Sequence, residues 1–221
     1  MKRYARVAAV CLVGVLGVGA RAAQAQPAPG SADSKMSAEV NFGPTLGHKS
    51  DAFIGGEFDF RLTPGLDAVI EVTHMGNVGT SDLDSRAALI ADFLGGSAAT
   101  AYKVTAVGFG ARYRIPVTSL RFNPYVLGAI GVAHVKTDVE FTVNGTVIDP
   151  ASQSVQLGGD LSGSTNRAFI VIGFGVNVPF KQRFFADLGY RYGQIVSKTL
   201  DDETLGSIPT QRIVLGVGVR F

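Results

Sequence analysis

Sulfur chemistry is almost absent from this chain. Its 221 residues hold one cysteine, Cys11, and no tryptophan. A lone thiol excludes an internal disulfide framework and a cysteine-based metal cluster. Charge is scarce as well: 17% of residues are Asp, Glu, Lys or Arg, against a usual quarter. The formal net charge of +2 lacks the basic excess of a nucleic-acid binder. Histidine is limited to His48, His74 and His134, which leaves little for imidazole-dependent catalysis or metal binding. Beyond the first twenty residues, no apolar run approaches the roughly 20 residues that a spanning helix needs.

What is present begins with a basic start, Lys2, Arg3 and Arg6, an apolar segment from Val7 to about Ala20, and the small residues Ala22-Ala23-Gln24-Ala25. This is the layout of a secretory signal peptide over residues 1–25. The run is short for a retained anchor helix. Cys11 lies within it rather than at its end, which does not fit lipid attachment. Residues 26–35 are Gln, Pro, Ala, Gly and Ser rich, as in a flexible periplasmic lead-in. Residues 36–221 suit one domain.

From there on apolar and polar residues alternate, the signature of half-buried strands. The clearest case is the last stretch, Thr210 to Phe221. Ile213, Leu215, Val217, Val219 and Phe221 form one face, and Arg212, Val214, Gly216, Gly218 and Arg220 the other. Seven earlier strands are predicted near 37–46, 52–62, 66–75, 102–115, 122–136, 167–178 and 184–194. The fifth is ambiguous, because both faces are apolar or small. The parity that turns Tyr125 and Leu127 outward and sends His134 and Lys136 inward is preferred. His74 is expected to face outward. Thr63-Pro64-Gly65 signals a tight turn, and Asn144-Gly145 a hairpin that carries strands five and six above the membrane.

Period alone does not separate a soluble sandwich from a transmembrane barrel. Three features favour the barrel. The non-apolar faces are rich in glycine, drawn from 28 in the chain, which suits a tight interior. The apolar faces carry almost no charge, as lipid requires. Aromatics gather at strand ends, with Phe60, Tyr113, Phe180, Phe184 and Phe221 at one end and Tyr190 and Tyr192 towards the other, as in interfacial girdles. Short links alternate with long ones, apart from 47–51. The expected fold is all-β: an eight-stranded antiparallel up-and-down transmembrane β-barrel, with both termini on the short-turn, periplasmic side.

Phe122-Asn123-Pro124-Tyr125, Leu188-Gly189-Tyr190-Arg191-Tyr192 and the terminal Gly216-Val217-Gly218-Val219-Arg220-Phe221 resemble the small outer-membrane barrels of the OmpA transmembrane-domain and OmpX type. The resemblance covers nearly all of the chain after the signal. It implies a bacterial outer-membrane protein in contact with lipid. It also implies that Ile213, Leu215, Val217, Val219 and Phe221 form the face read by the outer-membrane assembly machinery. No peptidoglycan-binding domain like that of full-length OmpA is expected after the barrel, so that anchoring role is not implied.

The parities send Glu39, Glu57, Asp59, Glu71 and Asp187 into the lumen together with Arg61, Arg112, Arg114, Arg191 and Arg212. Arg212 is expected to approach Glu39 where the barrel closes. Two readings stand: a salt-bridge network that fills the lumen, which is favoured, and a narrow path for ions or small solutes. Gly108-Phe109-Gly110 and Gly173-Phe174-Gly175 lie mid-strand with no helix after them, so no phosphate cradle is expected, nor any cofactor or metal. No residue pattern beside the histidines resembles a lipid-modifying enzyme. In the second long loop a short helix is expected near 85–94, capped by Asp84 or Ser85 and ended by Gly95, with Leu89, Ile90, Phe93 and Leu94 on one face. The expected role is structural or surface-interacting, non-enzymatic and monomeric, without a nucleic-acid partner. A channel and a lipid-modifying enzyme are the alternatives.

Overall fold

The computed structural model describes residues 34–117, 122–148, 163–181, 183–196 and 207–221. Within them lie nine strands and one helix: β1 (Met36–Leu46), β2 (Ala52–Thr63), β3 (Leu66–Met75), α1 (Ser81–Phe93), β4 (Ser97–Arg114), β5 (Asn123–Val143), β6 (Thr146–Ile148), β7 (Gly163–Pro179), β8 (Phe184–Ile195) and β9 (Ile208–Arg220). The predicted signal peptide and most of the lead-in fall outside the described residues.

Eight strands close into an antiparallel barrel. Each neighbours the next in sequence, with β5 beside β7 and β9 returning to β1. The seam is sealed at the chain's end, where Met36 and Phe221 exchange N–H···O bonds of 3.1 and 3.0 Å. Both ends of the barrel chain therefore sit at one rim, here the terminal rim, and α1 sits at the other. β6 stands outside the barrel and, among the described residues, pairs with the top of β5. Asn144 and Gly145 both adopt positive φ, 51° and 78°, as a two-residue hairpin turn of the primed type requires.

β4, β5 and β7 have 18, 21 and 17 residues, against 10 to 13 for the other barrel strands. A tilted strand crosses a bilayer in about 9–11 residues, so these three rise beyond the α1 rim. The first seven residues of β4 have no partner on β3, whose ladder stops at Met75 opposite Val104. The next segment completes that edge. Val78 N–H bonds Tyr102 O at 3.0 Å, and the Asn77 side chain bonds Tyr102 N–H at 3.1 Å and Thr100 O at 3.3 Å.

α1 begins a turn earlier than its sequence suggested. Thr80 is the N-cap residue, so Asp82 and Asp84 lie in the first turn, where the helix dipole favours acid. Gly95, at φ 69°, ends the helix as expected. The packed face differs from the expected one: Leu83, Ala87 and Ala91 are buried, with Ile90 partly so, while Leu89 and Phe93 are 70% and 83% exposed. The alanines let the helix axis come close to β4, and the bulky residues are left outside.

Alternation decides which way each barrel strand faces. Val40, Phe42, Ile54, Ile70, Val107, Phe109, Ile172, Phe174, Leu188 and Val217 are exposed on the outer surface. β5 corrects the sequence reading. Tyr125, Leu127, Ala133 and Val135 are buried inside, while Val126, Ile130, Val132, His134 and Lys136 face outward. Two apolar faces gave the period nothing to distinguish. The Tyr125 hydroxyl decides the matter, since it finds its partners in the lumen (below).

Candidate functional site: the filled lumen

The interior has two storeys. In the half near the terminal rim, charged side chains from facing strands interlock around Glu57. Arg112, from β4, donates through Nη1 to Asp59 Oδ2 at 2.7 Å and through Nη2 to Glu57 Oε2. Arg191, from β8, donates to Glu57 Oε1 at 3.0 Å and to the Tyr125 hydroxyl at 3.1 Å. Tyr125 donates onward to Asp187 Oδ2 at 2.7 Å, and Asn41 to Glu57 Oε1 at 3.3 Å. The Arg112 and Arg191 guanidinium carbons stand 4.5 and 5.3 Å from the centre of the Tyr125 ring, within cation–π range. One tyrosine thus lies between two arginines that share one carboxylate.

Glycines make the room. A Cβ on Gly175 would stand 2.5 Å from the Tyr125 hydroxyl, and one on Gly173 would stand 2.4 Å from Arg191 Cδ. Their alternation on the inner face of β7 leaves the hollow that β5 and β8 fill.

The other sequence-selected residues occupy defined places. Arg212 donates to Thr73 Oγ1 at 2.6 Å and to Glu71 Oε1. Arg114 pairs with Asp67 at 2.6 Å, and Arg61 stands 3.9 Å from the same carboxylate. The expected approach of Arg212 to Glu39 does not occur. Register puts Arg212 opposite Thr45 and Glu39 opposite Gly218, so the arginine reaches across the lumen to β3 instead. Glu39 is 4% exposed, and neither carboxylate oxygen has a hydrogen-bond partner.

Three charged members were missed: Asp67, Arg167 and Arg220. Arg220 bonds Asn177 and lies 4.9 Å from the centre of the Phe185 ring. Asp67 and Arg220 share the parity of Glu71 and Arg212, so the alternation already marked them.

The half nearer α1 is mainly apolar, with Arg167, Thr45, Thr137 and Thr210 buried within it. Phe53, Met75, Tyr102, Val104, Ala106, Ala133, Val135, Phe169, Val171, Ile195 and Ile208 form one core with Val78, Leu83 and Ala87 from the α1 segment. The sign available in sequence was the double-sided apolar character of β4, β5 and β7. Next to the charged storey, a cavity of about 10 Å³ lined by Ser37, Asp59, Arg112, Tyr125 and Arg220 has room for about one water.

At the α1 rim, Asp84 ties the helix to the β1–β2 loop and to β4. It accepts from Thr100 Oγ1, from Lys49 Nζ at 2.8 Å and from His48 Nε2 at 2.9 Å. Partial burial raises the Asp84 pKa, but these bonds outweigh it and hold the carboxyl below its ordinary range. The other histidines lie elsewhere, both on the outer surface: His74 with Thr105 at 2.9 Å, and His134 with Asn166 at 2.8 Å. The outward His134 corrects its expected lumen position. Among the described residues no His, Cys, Asp or Glu group has a metal-holding arrangement.

Ile213, Leu215, Val217 and Phe221 are exposed on the outside of the seam strand, and Val219 shares their face at intermediate exposure.

Solved structures with the same architecture include Neisserial surface protein A (TM-score 0.50, 15% identity, 84% of this chain and 96% of that one). The attachment invasion locus protein Ail of Yersinia pestis gives 0.47 and 16%, over 85% and 99% of the two chains. The N-terminal β-barrel domain of Pseudomonas aeruginosa OprF gives 0.44 and 17%, over 84% and 97%. At such identities the likeness speaks for the fold alone. No curated protein matches the chain. Residues 8–221 match the family described as outer membrane protein beta-barrel domain. With the closed eight-stranded sheet and its lipid-facing exterior, this makes the chain a member of that outer-membrane β-barrel family.

Proposed function

We propose that this outer-membrane barrel is a non-conducting, non-catalytic scaffold whose working surface is the α1 rim. The observation that carries this reading is the filled lumen. A solute would have to pass the Glu57 cluster, then an apolar core, then a helix seated on that core. A polar path needs continuous water or fixed polar groups along its length, and here Phe53, Met75, Phe169 and Ile195, each at most 3% exposed, fill the section between the scattered polar groups Arg167, Thr137 and Thr210. The rim, by contrast, presents Leu89, Phe93 and Val147 outward. His48 lies at the α1 rim with Asp84, while His74 and His134 lie on the outer wall bonded to Thr105 and Asn166, and none of the three is bonded to a serine, which does not favour a histidine-dependent lipid-modifying site.

In this reading residues 1–25 direct export and are removed. Residues 26–35 form a flexible lead-in, both termini are periplasmic, and α1 faces outside. The outward stripe Ile213 to Phe221 is what the assembly machinery reads. The folded barrel works as a monomer in lipid, without nucleic acid.

The test is single-channel conductance of the refolded barrel in a planar bilayer. Wild type is compared with a variant in which Glu57, Asp59, Arg112 and Arg114 are all neutralised. The expected result is silence from wild type. Steady wild-type current, with selectivity altered in the variant, refutes the scaffold reading in favour of a channel. Orientation is checked separately, with single cysteines at Ser85 or Lys181 and a membrane-impermeant maleimide on intact cells. The expected label falls on Ser85→Cys alone.

A further inference from the structure

Charge on the outer faces of the described strands is confined to one place. Across all described strands, the charged residues at outward-facing positions are Lys103, Lys136, Asp138 and Glu140, at the α1 ends of β4 and β5. The transition is sharp. Val72, Val107, Val132 and Ala168 form a continuous apolar row across β3, β4, β5 and β7. The next outward row is His74, Thr105, His134 and Asn166, again in direct register. One step further, Lys103 lies opposite Lys136, with Ser164 beside it on β7. This polar edge continues the lipid-facing belt and stands where hydrocarbon gives way to headgroups.

Like charges directly opposite in a sheet destabilise it. Asp138 offsets part of this, at 3.7 Å from Lys103 Nζ and 3.3 Å from Lys136 Nζ. One positive charge remains over from the trio, on ammonium groups that are about half exposed. Glu140 stands one outward position higher on β5. The two imidazoles below are held through Nδ1: the Thr105 hydroxyl can donate to His74, which leaves the His74 Nε2–H for a ligand, while His134 donates its Nδ1–H to Asn166 Oδ1 and adds a second donor only as the imidazolium. The lysine stems can lie along the apolar surface while their heads reach the interface.

We propose that His74, Lys103, His134 and Lys136 form a recognition site on the outer wall for the phosphate groups of outer-leaflet lipid headgroups. A phosphate between Lys103 and Lys136 answers their mutual repulsion, supplies acceptors for ammonium donors that Asp138 leaves unused, and comes within reach of the ring nitrogens. Placement in the outer leaflet rests on the orientation proposed above; the site's affinity for phosphate-bearing lipid does not.

The test uses the full barrel in phosphatidylcholine nanodiscs containing lipid A with both phosphates, or the same glycolipid with its phosphates removed. Retained lipid is counted by native mass spectrometry after detergent release. Wild type is expected to retain the phosphorylated form selectively. Lys103→Gln with Lys136→Gln should weaken retention about thirtyfold, as two juxtamembrane lysines imply. His74→Gln with His134→Gln should weaken it less, and Glu140→Gln should not weaken it. Circular dichroism establishes that each variant is folded. Equal retention of both lipids by wild type, or no loss in the lysine variant, overturns the proposal. Nanodiscs expose both leaflets alike, so a reversed orientation on cells would refute the scaffold's placement while leaving this result readable.

Discussion

Replacing Glu57 by glutamine keeps the shape of the side chain and removes the one carboxylate that Arg112 and Arg191 share. Arg112 retains Asp59 at 2.7 Å. The glutamine oxygen can still accept from one of the two arginines, but the amide NH2 then faces the other guanidinium, which has no acceptor; Arg191, 0% exposed, retains the Tyr125 hydroxyl in either case. Breaking a buried ion pair from one side costs about 3–5 kcal/mol. The retained Asp59 pair and the cation–π contacts place the expected loss near the lower limit, about 3 kcal/mol. That is roughly a 150-fold fall in the folded-to-unfolded ratio. With a urea dependence of about 2 kcal/mol/M, the midpoint should drop by about 1.5 M. The assay is reversible urea unfolding in lipid vesicles, followed by far-ultraviolet circular dichroism, because the chain has no tryptophan. Adding Arg191→Met to Glu57→Gln should recover part of the loss, since the orphaned cation is then gone. A loss under about 1 kcal/mol for Glu57→Gln alone would refute the reasoning. It would mean that water reaches the cluster, and the closed-lumen reading would fall with it.

Two further outcomes follow from single contacts. Gly175→Val should destabilise the barrel by about 1–3 kcal/mol, because its Cβ would stand 2.5 Å from the Tyr125 hydroxyl and 2.8 Å from Leu188 O. Gly128→Val, where a Cβ meets nothing within 4 Å, should be close to neutral in the same unfolding assay; equal effects would refute the packing argument. At the rim, the Asp84 carboxyl is held below its ordinary range, so its bonds to Lys49, Thr100 and His48 contribute above about pH 4 and are lost as pH falls through the depressed value. Asp84→Asn should speed amide exchange in α1 by up to about fivefold at neutral pH, as partly exposed pairs imply, and abolish the acid-induced change. An unchanged exchange rate would show that Leu83, Ala87 and Ala91 hold the helix unaided.

The sequence by itself determined the barrel. A period of two writes the outside and inside of β1 to β4 and β7 to β9 directly into the residue order, and lipid enforces it by excluding charge from one face. The turns at Pro64-Gly65 and Asn144-Gly145 were local in the same way, because the residues that adopt them sit in the turn itself. The inward direction of Glu57, Asp59, Arg112 and Arg191 followed from parity alone. Their partners did not. Which arginine meets which carboxylate depends on strand stagger around a closed sheet, which sends Arg212 to Glu71 across the lumen rather than to Glu39 near the seam. The facing of β5 needed the structure because both its faces are apolar. Only the closed barrel shows that the Tyr125 hydroxyl belongs with Asp187 and Arg191, and that Lys136 belongs outside with Lys103. The buried face of α1 was likewise tertiary. Hydrophobicity pointed to Leu89 and Phe93, but the face packed on β4 is Leu83, Ala87 and Ala91, where two alanines allow close approach and one leucine enters the core.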